Sequence, residues 1–143
     1  MPHTTAQLQL LSVDGAGLRF EATNNRGQKL VLDSGAGAIA FDPMQAIAAA
    51  LGACTAMDVI SILRKKRQHV TAYAIDVDGD RREEHPRAYT SVEIVHRLRG
   101  QSLDPNAVDE AIRLSATRYC SVAASLGPAV PIHHRFELSE DGA

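Results

Sequence analysis

Residues 43–57 set the strongest limit on how this chain folds: fifteen positions without a charge, bounded by Asp42 and Asp58 and crowded with alanine. Three helix-start signals mark its beginning: an acid at the N-cap (Asp42), proline at the first helical position (Pro43), and Gln45 placed to close a capping box. A helix is therefore expected to begin there and to run to Leu63, ending at the basic residues 64–67. It is apolar nearly all round, and Ala48, Ala49, Ala50, Gly52 and Ala53 keep it thin, so other elements should surround it closely. The uncharged run falls short of the ~20 residues a bilayer requires, so a buried core helix and no membrane partner are expected.

The remaining chain supplies strands and one further helix. Residues 7–13, 18–23 and 28–32 read as a three-stranded meander turning at 14–17 and 24–27. Residues 70–78 and 89–98 alternate in the period of strands and predict a long hairpin around a charged stretch at 79–87. Asp104-Pro105 repeats the cap-then-proline signal. Val108, Ile112, Ser115, Tyr119, Val122 and Leu126 then mark one face of a second helix, which Gly127-Pro128 stops. Residues 130–138 form a last strand. The order βββ-α-ββ-α-β is an α+β pattern, and 143 residues fit a single domain spanning 1–143.

Several function classes lose support on charge and motif. Net charge is −2, tryptophan is absent and aromatics are 4%, so neither a polyanion footprint nor base-stacking surfaces are indicated and no nucleic-acid partner is expected. The amino terminus lacks a cationic region followed by an apolar run, which makes the cytoplasm the expected location. There is no Gly-rich phosphate loop, G-x-S-x-G, CxxC or HxxxH, and His133 and His134 would face opposite sides of a strand. No cofactor and no metal are expected.

The two cysteines, Cys54 and Cys120, fall one in each predicted helix. Cys54 shares a helical face with Ile47, Ala50, Leu51, Asp58 and Ser61, and Cys120 shares one with Arg113, Ala116, Ala123 and Ala124. Small neighbours let helices approach. If these two cross at the core, the sulfurs can come within disulfide reach, with Cα atoms roughly 4.4 to 6.8 Å apart. The residues alone leave open a pair of small buried hydrophobes, free thiols, or an attacking and a resolving thiol.

Three segments together carry a resemblance: PMQAIAAALGACTAMDVISILRKKRQ over 43–68, RREEHPR over 81–87, and SATRYCSVA over 115–123. The chain resembles the OsmC/Ohr family, and more narrowly its YhfA-like branch. The resemblance implies an α+β fold of antiparallel sheets packed around two central helices, in an intertwined homodimer. It further implies a thiol-dependent peroxidase acting on organic hydroperoxides, with Cys54 peroxidatic and Cys120 resolving. The thiolate of Cys54 would become a sulfenic acid, which Cys120 would close to a disulfide. A dithiol reductant, either a lipoyl protein, a small thiol or a thioredoxin-like partner, would reopen it. Apolar walls from Ile47, Leu51 and Met57 would favour alkyl hydroperoxides, since each buried CH₂ is worth ~0.8 kcal/mol.

The same resemblance asks for an arginine to activate the thiol and a glutamate to orient that arginine. Arg19 is the expected cation by location, with Arg81, Arg82 and Arg87 in a block that recurs in the branch. The glutamate position, ten before the first cysteine, holds Met44 here, and the next residue is Gln45, which already has a capping role. Two other readings stay open: a redox-responsive or small-ligand-binding dimer without turnover, and a structural dimer with both cysteines as core filler.

Overall fold

The computed structural model describes residues 1–14 and 17–142. The chain divides into two compact units, Met1–Ile47 and Ala48–Ala143. In the first, β1 (Ala6–Asp14), β2 (Gly17–Asn24) and β3 (Lys29–Leu32) form an antiparallel sheet in that order, the expected meander. The Asn24 side chain builds the second turn by accepting the Arg26 and Gln28 N–H groups at 2.9 and 3.0 Å, with Gly27 at φ 77° supplying the left-handed step. Of the other expected turn, residues 15 and 16 lie outside the described residues.

The capping box forms as the sequence predicts. The Gln45 N–H donates to Asp42 Oδ1 at 2.8 Å and the Asp42 N–H donates to Gln45 Oε1 at 3.0 Å. From it α1 runs over Pro43–Lys65, mostly in the second unit. At 23 residues, with a mean hydropathy of 2.0 over its most apolar 18-residue window, it is longer than the uncharged run, and by length and composition alone it reaches the dimensions of a membrane span. Its buried residues form one stripe, Leu51, Gly52, Thr55, Val59 and Leu63. Ala49, Ala50, Ala53 and Met57 are exposed, so the helix is not enclosed on all sides by its own chain.

In the second unit, β4 (His69–Arg81) and β5 (Tyr89–Gln101) make the expected long antiparallel hairpin. The last strand, β6 (Ile132–Glu140), pairs with β5 in parallel, from Val92↔Ile132 to Gly100↔Glu140. This sheet is therefore mixed rather than wholly antiparallel. The segment between β5 and β6 contains α2 (Pro105–Leu114) and α3 (Ser121–Leu126), long enough for the crossover that parallel pairing demands. Leu98 of β5 meets Val59 and Leu63 of α1 and Val108, Ala111 and Ile112 of α2 in one buried core cluster, and Val92 and Ile94 of β5 meet Leu51 of α1 in a second. Gly52 lets α1 lie close on the sheet, for a Cβ there would stand 2.8 Å from Val77 Cγ2.

The second helix departs most from expectation. Instead of running unbroken to Leu126, α2 ends at Leu114, a π-helical turn spans Ser115–Tyr119, and Cys120 is extended at φ −72°, ψ 100° before α3 begins. The wide turn closes through a Cys120 N–H bond to Ser115 O at 2.8 Å. It shifts the helical phase of the residues after Leu114. Val108, Ile112 and Ser115 keep their predicted burial, whereas Tyr119 is 51% exposed.

Candidate active site

Helix α1 carries Cys54 and, one turn later on the same face, Asp58. The break after α2 carries Cys120. The two sulfurs and the Asp58 carboxylate all lie within 4.8 Å of one another. Both cysteines are free, Cys54 half-buried and Cys120 buried. They belong to one apolar cluster with Leu51, Val92 and Ile94, bordered by Ile75, Val77 and Val122. The resemblance puts the two thiols together, and the structure does so without the uninterrupted helix that the sequence predicts.

Each member of this group is held by a neighbour. Thr55 Oγ1 lies 3.7 Å from Cys120 Sγ, and the Ala123 N–H donates to the same sulfur at 3.4 Å. Burial pushes the Cys120 thiol up, against these two hydrogen bonds and reinforced by the neighbouring Cys54. Ser115 Oγ donates to Asp58 Oδ2 at 2.9 Å, so the π turn that displaces Cys120 also orients the carboxylate. Asp58 forms no ion pair among the described residues. It also lines a cavity of about 260 Å³ with Ser61, Ile62, Lys65, Leu114 and Tyr119.

The other residues singled out in the sequence have partners of their own or face solvent. Arg19 Nε donates to Asp33 Oδ2 at 2.9 Å within the first unit. Asp33 is buried and also accepts the N–H groups of Ser34 and Ile39, at 2.8 and 3.1 Å. The Ile39 N–H first, with Arg19 and Ser34 and against burial, holds the Asp33 carboxyl below the usual carboxylate range. Gln45 spends its side chain on the capping box. Arg81 and Arg87 donate to the backbone carbonyls of Arg87 and Glu83, which makes their block a self-bonded hairpin tip rather than one paired through the glutamate carboxylates. Met57, expected in the wall beside Cys54, is 68% exposed.

Sequence reasoning misses two participants. Asp58 has a signal, since it falls on the Cys54 face, but a lone i, i+4 pair of cysteine and aspartate is no recognised spacing. Ser115 is marked only as a position on the predicted helical face, and its bond to Asp58 depends on a π turn that local patterns do not encode.

A further polar group crosses the inner face of the second sheet. Tyr73 on β4, His96 on β5 and His134 on β6 form a chain, with Tyr73 Oη 2.6 Å from His96 Nδ1 and His96 Nε2 3.0 Å from His134 Nδ1. His96 has no exposed surface, and burial first, then the charge of His134, pushes it down to about 4. Burial also lowers His134 and raises the Tyr73 hydroxyl.

Comparison with known proteins identifies the family and the fold. The OsmC-like protein family matches residues 35–135, a stretch that includes both cysteines. Protein YhfA of Escherichia coli (strain K12) is 39% identical over 122 residues, which cover 85% of this chain and 91% of YhfA. A hypothetical protein from Aquifex aeolicus VF5 is 30% identical and superposes with a TM-score of 0.84 over 99% of both chains. The OsmC-like protein of Mycoplasma pneumoniae shares the fold at 15% identity, with a TM-score of 0.80 over 96% of this chain and 97% of its own. The matched segment, taken with a relative 39% identical over 85% of the chain, shows that the chain belongs to the OsmC-like protein family.

Proposed function

We infer that this protein is a thiol-dependent peroxidase that reduces organic hydroperoxides. The observation that carries the reading is the approach of two free sulfurs, from residues sixty-six positions apart, to within 4.8 Å of each other and of Asp58, which lines a cavity. Cys54 is the more accessible of the two, so it is the sulfur a hydroperoxide or a reductant can reach. Its thiolate attacks the outer peroxide oxygen, the O–O bond breaks, an alcohol leaves and a sulfenic acid remains. The Cys120 sulfur then displaces water from that sulfenic acid to give the disulfide. Thiol–disulfide exchange with a dithiol, a lipoyl protein or a small thiol, restores both thiols. Such a cycle belongs to a reducing compartment, and we place the protein in the cytoplasm.

Arg19 is the activating cation in this account. The glutamate that the resemblance expects is replaced by Met44, and the Arg19 guanidinium donates instead to Asp33 through Nε. The enzyme works as a homodimer with residues 1–143 acting as one unit. Support for a second copy comes from the apolar surface that one chain leaves uncovered: Leu8, Leu10, Leu18, Leu30 and Phe41 are each at least half exposed, and Met57 projects from α1. Monomeric proteins rarely expose this much contiguous apolar side chain.

Met44 in place of the family acid favours a second reading, a disulfide that forms once and does not cycle. Turnover separates the two. With dihydrolipoamide as reductant, cumene hydroperoxide consumption should continue for many equivalents per chain. Consumption that stops after one equivalent, with the disulfide left unreduced, would instead establish the redox-responsive module.

A further inference from the structure

The group of Cys54, Asp58 and Cys120 has a second chemical meaning, independent of any hydroperoxide. Two sulfurs and one carboxylate offer three ligand atoms within 4.8 Å of each other, on side chains that are half-buried, half-buried and buried. A tetrahedral ion with sulfur at 2.3 Å needs ligand atoms about 3.8 Å apart, so small side-chain rotations close the group around a metal. Soft thiolates disfavour magnesium and calcium and suit zinc or cobalt, and the single carboxylate is an accepted third ligand for both.

The surroundings are also those of a metal site. Ligands in such sites are fixed by hydrogen bonds from an outer layer. Here Ser115 Oγ holds Asp58 Oδ2 at 2.9 Å, while Thr55 and the Ala123 N–H address the Cys120 sulfur. Among the described residues no cation pairs with Asp58. The fourth position would be open, since Asp58 lies on the wall of the 260 Å³ cavity.

We propose that the reduced protein binds one zinc-class divalent cation through Cys54 Sγ, Cys120 Sγ and the Asp58 carboxylate, with water as fourth ligand. Metal and disulfide exclude each other because both need the same two sulfurs. When a hydroperoxide takes two electrons from the sulfurs and two protons from solvent, it leaves as alcohol and water, the S–S bond forms, and the metal is released.

The test is titration of the reduced full-length protein with Co²⁺, then Zn²⁺, without oxygen. One equivalent of cobalt should produce a thiolate charge-transfer band in the near ultraviolet and the visible bands of a tetrahedral ion, and zinc should bleach both. Cys54→Ser and Cys120→Ser should each weaken zinc binding by at least about a hundredfold, and Ser115→Ala by about tenfold through loss of the outer-layer bond. Protein already oxidised to the disulfide should give no band, a control that needs no substitution. Zinc held no more tightly than by an equal concentration of dithiothreitol, or cobalt bands that persist in the Cys54→Ser/Cys120→Ser protein, would overturn the assignment. Neither result would touch the peroxidase reading, which needs no metal.

Discussion

Cys54→Ser is expected to lower hydroperoxide consumption by at least roughly 10³-fold, the scale on which loss of a nucleophile acts, with the fold retained. The serine hydroxyl is nearly isosteric with the thiol, so the cluster of Leu51, Val92, Ile94 and Cys120 keeps its packing. Cys120→Ser should behave differently. Cys54 is still able to attack once, so the first equivalent of peroxide is consumed, but the sulfenic acid finds no second thiol. It should then be trapped by dimedone, and with excess peroxide it should proceed to sulfinic acid. Stopped-flow peroxide loss and intact mass on both variants check this pair. Equal effects of the two substitutions on the first turnover would contradict the assigned division of labour.

The second large effect is on stability in mild acid. His96 is fully buried with its acid form disfavoured to about pH 4, whereas in the unfolded chain it titrates near its ordinary value of 6.5. Its folded-state value is depressed, so the stabilising contribution is complete above pH 6.5. It is lost as the pH falls from there to about 4, because the unfolded chain takes up a proton that the folded chain refuses. The difference amounts to about 3 kcal/mol, lost over that window and constant below it. His134, also lowered by burial, steepens the fall. The carboxylates with lowered values, Asp33, Glu110 and Glu137, add to the loss as the pH falls through the carboxylate range. Urea unfolding between pH 7.5 and 4 should take this course. In His96→Gln, which keeps a hydrogen-bonding side chain but not the titration, most of the slope should disappear. An unchanged slope in that variant would place the acid sensitivity elsewhere.

Much of the architecture was legible because it rests on local signals. Asp42, Pro43 and Gln45 announce α1, and their capping box is present bond for bond. The β4–β5 hairpin is dictated by alternation. Local signals do not show where nonlocal packing overrides them. The parallel seating of β6 depends on the crossover, not on its own residues. The break at Ser115–Tyr119 replaces an apparently good helical face, Ser115 to Leu126, because Ser115 bonds Asp58 and Cys120 turns out of the helix to reach Cys54. Composition gave no warning of the Tyr73, His96 and His134 chain either, since alternation marks these positions as inward without telling whether inward histidines find partners.

The site was legible in the same uneven way. The two cysteines stood out through family resemblance, and spacing alone left them ambiguous. Asp33 carried no such signal: Met44 stands where the resemblance expects a carboxylate, and Arg19 is bound by a carboxylate within its own unit.

The most direct test of the peroxidase cycle is the mass of the reduced protein after one equivalent of cumene hydroperoxide at neutral pH, with alkylation of any remaining thiol. The expected result is the loss of two hydrogen masses, no alkylation, and a peptide pair joining Cys54 to Cys120. Two alkylated thiols, oxidised no faster than free cysteine, would contradict it.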